Sequence, residues 1–202
     1  MAIEKSLPVS PGMLYPVRAA LSLIAILVFS RRVIPWPPNQ TLASIALGVA
    51  VFFIWIGPDV LWPGMRNHWL FHNSILGSAT STLPQGLKVS AAFIAVRVFG
   101  SVVLVPVLEE LFWRGWLMRW LIAQDFRKVA LGTYSALSFW ATAALFASEH
   151  GSYWEVGLIT GIIYNWWLIR TKNLANCVLA HAVTNGCLAV YVIGWNQWQY
   201  WL

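Results

Sequence analysis

Seven apolar stretches, at about 14 to 30, 41 to 57, 87 to 105, 107 to 123, 131 to 149, 154 to 170 and 174 to 194, alternate with short runs of proline, glycine and charge. Each approaches the roughly 20 residues that cross the hydrocarbon core of a bilayer. Helices are expected in all of them, because lipid offers nothing to pair an exposed backbone donor or acceptor. Pro35, Pro37 and Pro38 break the chain between the first two stretches, and Pro58, Pro63 and Gly64 open a polar loop that runs to about Gly86. The pattern predicts an all-α fold, a multi-pass transmembrane helical bundle of about seven to eight helices.

Composition supports a membrane rather than a soluble core. Of 202 residues, 59% are hydrophobic and 10% charged, against about 25% charged in soluble domains. The expected organisation is one membrane domain over 1–202. Within it, 1–86 holds two N-terminal spans and a polar loop of unassigned role, and 87–194 forms the helical core that carries the chemistry. There is no internal repeat and no low-complexity linker. Trp36, Trp62, Trp69, Trp195, Trp198 and Trp201 fall at expected span ends, where amphipathic rings favour the interface. The first span ends in Phe29-Ser30-Arg31-Arg32 without a small-residue cleavage signal, so it reads as a retained anchor. Cys177 and Cys187 are ten residues apart on one expected helix, about 15 Å of rise and too far for a disulfide.

The formal net charge of +6 could suggest nucleic acid, but the basic residues are scattered at span ends rather than gathered on one face, so no nucleic-acid partner is expected. They report topology instead. With seven crossings, Lys5, Arg18, Arg66, Lys88, Arg119, Arg127, Lys128, Arg170 and Lys172 share one side, and Arg31 and Arg32 take the other. The richer side reads as cytoplasmic, which puts the N-terminus inside. That count treats 87 to 105 and 107 to 123 as separate crossings and sets Glu109 and His150 toward the outer half; a single broken crossing would invert the later spans and turn these two residues toward the cytoplasm.

In such a chain the informative residues are the ionisable ones within apolar stretches, each a functional candidate by default. They are Arg97, Glu109, Glu110, Arg114, Glu149, His150 and His181, with Asn185 as an uncharged companion. Pro106 is expected to free a helix start, so that Glu109 and Glu110 fall in its first turn, where the helix dipole favours negative charge. Glu110 and Arg114 are spaced to pair along one face. Glu109, about 100° away, is left as a candidate general base, the alternative being a structural pair with Glu109 snorkelling to a headgroup. A hairpin would return His150 to the depth of Glu109, where the two could share a water. His181 and Asn185, four apart on the last span, present two donors that could hold an oxyanion, or could serve as interhelical polar glue. Base, water partner and oxyanion donors together are the parts that acyl transfer requires.

Glu109-Glu110-xxx-Arg114, Phe146-xxx-His150 and His181-xxx-Asn185, in this order on successive spans, resemble the three motifs of the CAAX prenyl protease and bacteriocin-processing family, the glutamic-type intramembrane proteases. The resemblance runs from about Lys88 to Val192. It implies that Glu109 and His150 activate a water, that His181 and Asn185 stabilise the oxyanion, and that Glu110 and Arg114 are a supporting pair. It further implies an intramembrane endopeptidase of the cell (inner) membrane that needs no cofactor. The substrate would be a membrane-associated protein or peptide, for which a C-terminal processing signal is one candidate feature. The short length and Phe112-Trp113-Arg114 are similar to members associated with exosortase-type sorting.

Rival readings remain at this stage. Glu109, His150 and His181 could hold a catalytic zinc with one open position. A non-catalytic immunity or scaffold protein could bind a peptide in the same cavity. A transporter is disfavoured, since the spans show no inverted repeat and no paired broken helices.

Overall fold

Local chemistry sets the helix ends. Ser90 accepts a hydrogen bond from the Phe93 amide at the start of one helix, and Asn173 accepts from Ala175 at the start of another, the usual way a short polar side chain satisfies an orphan donor. Lys172 and Asn196 adopt the left-handed conformation that ends the two longest C-terminal helices. The structure, a computed structural model, describes residues 11–30, 33 and 36–201. Lys5, Arg31, Arg32 and Pro35, on which part of the orientation and loop reading rests, lie outside them.

The described residues form helices without a named strand. These are α1 (Pro11–Ala25), carried on by a π turn Ile26–Ser30, and α2 (Thr41–Leu61). A short α3 (Gln85–Lys88) precedes α4 (Ala91–Trp120), followed by α5 (Ala136–Ser148), α6 (Trp154–Thr171) and α7 (Leu174–Trp195). Helices α2, α4 and α7 are long and apolar enough to cross a membrane. Leu42, Phe53, Val103 and Val190 stand exposed on them, as lipid-facing side chains should. The chain is a membrane protein with an all-α bundle.

One expectation fails here. The stretches at 87 to 105 and 107 to 123 are not two crossings; they are one 30-residue helix that runs through Pro106. A proline inside a helix lacks an amide and collides with the carbonyl four residues back. The π turn Gly100–Leu104 immediately before it widens the backbone there, with the Val105 amide bonding to the Gly100 carbonyl, and so accommodates the ring. Glu109 and Glu110 therefore lie mid-helix rather than in a first turn, and the dipole argument for them lapses. Likewise α2 continues through Pro58 to Leu61, beyond the expected end at 57.

Helices approach closely where side chains are small, as membrane packing favours. A Cβ at Gly48 on α2 would collide with the Ala180 carbonyl and Val183 on α7, and one at Gly161 on α6 would stand 3.1 Å from the Ala143 Cα on α5. Polar ties supplement the contact. Trp167 donates to Ser44 at 3.2 Å, Thr184 donates to the Gly48 carbonyl at 2.8 Å, and Ser138 donates to the Met118 carbonyl. Cys177 and Cys187 are both free thiols.

The loop after α2 and the turn after α7 meet over one end of the bundle. Arg66 is the tie, with Nε 2.7 Å from Asp59 Oδ1, Nη1 2.6 Å from Glu155 Oε1, and Nη1 donating to the Ser152 carbonyl at 2.7 Å. Tyr200 donates to Asp59 Oδ2 at 2.7 Å. Burial, followed by the adjacent Asp59, pushes the Tyr200 phenol above its usual range, so it stays a donor. Trp36, Trp62, Trp69 and Trp195 are exposed as interfacial rings should be, but Trp201 is buried against Ala189 and Val192. It is a packing residue, not an interface anchor.

Candidate active site

Beneath that end of the bundle lies a cavity of about 410 Å³. Glu109 on α4, His150 after α5, and His181 and Asn185 on α7 all line it. Glu149, exposed at the end of α5, lines it too. Helix α5 runs back from the 121–135 loop to bring His150 to the level of Glu109, so the expected hairpin holds although the helix before it is longer.

Glu110 and Arg114 do not line the cavity. They are fully buried behind it, with Arg114 Nη1 3.1 Å from Glu110 Oε1. Arg114 also donates from Nε to Asn165 Oδ1 at 3.0 Å and from Nη2 to the Gly161 carbonyl at 3.4 Å. Its guanidinium lies 4.6 Å from the centre of the Phe146 ring. Asn165 donates in turn to the Phe139 carbonyl at 2.8 Å. One cation thus locks α4, α5 and α6 together. Local spacing does not foretell the other partner of Glu110: its Oε1 is 3.0 Å from His181 Nδ1 on α7. A carboxylate only accepts, so His181 Nδ1 carries a proton when Glu110 is ionised, and Nε2 is the ring atom left for other work.

His150 is held differently. Its Nδ1 lies 2.7 Å from the Phe146 carbonyl oxygen, which can only accept, so Nδ1 is the protonated nitrogen and the neutral ring keeps its lone pair on Nε2. The ring packs near Trp55 (5.2 Å between centroids) and Phe146 (4.6 Å). On its other side is Gly157, where a Cβ would stand only 3.1 Å from His150 Cγ. Tautomer and orientation are therefore set by backbone and packing. Asn185 donates from Nδ2 to the Ser101 carbonyl at 2.8 Å, which leaves one amide hydrogen uncommitted by that bond.

Sequence reasoning passed over several members of this constellation. Asn165 has its signal, a polar side chain in the middle of an apolar stretch, although no His four residues away marks it as His181 marks Asn185. Tyr164, buried with its ring 5.5 Å from His181 and its hydroxyl 2.7 Å from Thr184 Oγ1, and Trp55, whose indole donates to Thr160 at 2.9 Å, carry no such signal. Tyr15 and Trp55 also show that the two N-terminal helices help line the cavity. Among the described residues, no group of three His, Cys, Asp or Glu is arranged to hold a metal ion.

Residues 91–187, from the start of α4 to within α7, match the family model of the Type II CAAX prenyl endopeptidase Rce1-like proteins. No curated protein and no solved structure matches the chain.

Proposed function

Through residues 91–187 the chain belongs to the Rce1-like family of type II CAAX prenyl endopeptidases, and from that membership we propose that it is a glutamic-type intramembrane endopeptidase acting on a membrane-associated protein or peptide. The observation that carries the reading is the convergence of Glu109, His150, His181 and Asn185 on one cavity, with Glu110 and Arg114 buried behind them.

Glu109 and the Nε2 lone pair of His150 accept a proton from a water, whose oxygen attacks the scissile carbonyl carbon. Negative charge then develops on the carbonyl oxygen. Asn185 supplies an amide hydrogen to it, and His181, tethered by Glu110, supplies Nε2–H when doubly protonated. Collapse returns the proton to the departing amine and breaks the C–N bond. Water supplies both fragments, so no other reactant is needed.

Counting α4 as one crossing also revises the orientation. Arg18, Arg66 and Lys88 then share a side with the cavity mouth, and Arg119, Arg127, Lys128, Arg170 and Lys172 lie opposite. By the same rule the basic-rich side is cytoplasmic. The site then opens away from the cytoplasm of the cell membrane, on the side of the N-terminal end of α1.

The proposal is tested in cells by comparing the processed membrane proteome of strains carrying the wild-type and Glu109→Gln chains. Fragments that appear only with the wild type are the expected result; identical proteomes would favour a peptide-binding immunity or scaffold protein. In purified protein, exhaustive chelation should leave turnover intact, because water is activated by Glu109 and His150. Activity lost on chelation and regained with zinc would instead support the zinc mechanism. For the oxyanion donors, Asn185→Ala should lower kcat about 100- to 1000-fold with little change in KM. Pure interhelical glue would cost about 1 kcal/mol of stability and change turnover modestly. Single-turnover kinetics beside a thermal melt separates these outcomes.

A further inference from the structure

Arg97 lines the catalytic cavity together with Glu109, whereas two other cations, Arg66 and Lys88, belong to a second cavity of about 600 Å³. It lies between the loop that follows α2 and the turn that follows α7, at the same end of the bundle. The carboxylate in its wall is already committed, with Asp59 Oδ1 2.7 Å from Arg66 Nε and Oδ2 accepting from Tyr200. The cations are less so. Lys88 Nζ stands 5.8 Å from the centre of the Trp198 ring, and among the described residues no carboxylate pairs with it. Arg66 meets Glu155 through Nη1, but its Nη2 is buried without a hydrogen-bond partner among those residues. The uncommitted charge of this polar cavity is therefore positive.

An apolar groove of about 470 Å³ follows the seam of α2 and α7, lined by Phe52, Val183, Gly186, Val190, Tyr191 and Trp195. Tyr191 is common to groove and polar cavity. Its ring lies 6.0 Å from that of Phe52 and 5.6 Å from that of Trp195 on the groove side, and 6.0 Å from that of Tyr200 on the polar side. From Trp195 to Val183 the groove descends about 18 Å of helix rise, a little over half of the ~30 Å hydrocarbon core. Trp62 and Trp195, exposed at its upper end, sit where interfacial rings belong. Cationic at the water end and apolar toward the mid-plane, the two together have the outline of one lipid of that leaflet. We propose that they form a binding site for an anionic glycerophospholipid, with its phosphate at Lys88 and Arg66 Nη2 and an acyl chain along the groove. Phosphate oxygens accept charge-assisted hydrogen bonds from both cations, and the Asp59 carboxylate, held by Arg66 and Tyr200, is not free to receive the ammonium of a zwitterionic headgroup. A lipid seated there braces α7, the helix that carries His181 and Asn185. Lys88, Arg66, Phe52, Val190, Tyr191 and Trp195 all lie outside the residues matched by the family model, and the site is independent of the protease reading.

The test needs no turnover. The full chain, purified in a neutral detergent and stripped of lipid, is titrated separately with phosphatidylglycerol, phosphatidylcholine, the diacylglycerol of the same chains and inorganic phosphate, and read by native mass spectrometry and thermal melting. Phosphatidylglycerol should bind as one equivalent, raise the melting midpoint, and bind about 10- to 100-fold more tightly than the other three, the gain expected of a charge-assisted hydrogen bond. Lys88→Gln should lower its affinity to that of the diacylglycerol and leave diacylglycerol binding unchanged. Val190→Trp, at an exposed position where the larger ring fills the groove, should weaken both lipids. Equal affinity for phosphatidylcholine, or phosphatidylglycerol binding that survives Lys88→Gln or Val190→Trp, overturns the proposal. Inorganic phosphate bound as tightly as phosphatidylglycerol would leave an anion site without a lipid, and the mass of two chains in place of the lipid adduct would give the groove to a second copy of the protein; either result overturns the lipid site and leaves the protease reading untouched.

Discussion

Glu109→Gln should reduce peptide hydrolysis by about 100- to 10000-fold, the range that a positioned general base contributes, while the protein inserts, purifies and melts like the wild type. The amide preserves the shape of the side chain and removes its basicity. Glu109 lines the cavity rather than the buried network, so little packing depends on its charge. Turnover at the wild-type rate in a detergent assay would overturn the assignment of Glu109 as base. A fall in both activity and melting temperature would move Glu109 into the structural network with Glu110.

Arg114→Ala should behave in the opposite way. Arg114 and Glu110 are both fully buried, and the guanidinium touches Glu110, Asn165 and the Gly161 carbonyl. Removing one member of a buried pair typically costs about 3–5 kcal/mol, because the partner is left charged without compensation. Set against a usual total stability of about 5–15 kcal/mol, that loss should lower expression yield and the thermal midpoint before any assay of activity. It should also loosen His181, which shares Glu110 Oε1 with Arg114. An Arg114→Ala protein that melts like the wild type and loses only activity would contradict the supporting role.

How far the sequence could be read depended on whether a signal was local. A charge inside an apolar stretch is costly wherever the chain goes, so that rule alone singled out Glu109, Glu110, Arg114, His150 and His181, and the spacing of four from His181 added the uncharged Asn185. The i,i+4 pairing of Glu110 with Arg114 was equally legible, being set by a single helix. The Glu110–His181 contact was not, because it joins residues 71 apart in the chain and no spacing rule reaches that far. Pro106 misled for the same reason. Proline is a helix breaker on local grounds, and only the π turn before it, together with packing against α7, lets α4 continue. Trp201 and Trp55 look like any interfacial aromatic until the fold turns them inward.

The π turn Gly100–Leu104 has a consequence for angular phase. At about 100° per residue, twelve residues of uninterrupted α-helix would carry Glu109 about 120° around the axis from Arg97, toward a different neighbour. A turn closed over one extra residue absorbs that residue, and the pair is then offset by only about 20°. The widened turn acts as a phase corrector, bringing a cation and a carboxylate into one cavity although their spacing in the sequence would separate them. Loop lengths elsewhere in the chain can drift without rotating these groups, whereas a one-residue insertion between Ser101 and Val105 would restore the offset of about 120° and turn Glu109 away from the water it is proposed to activate.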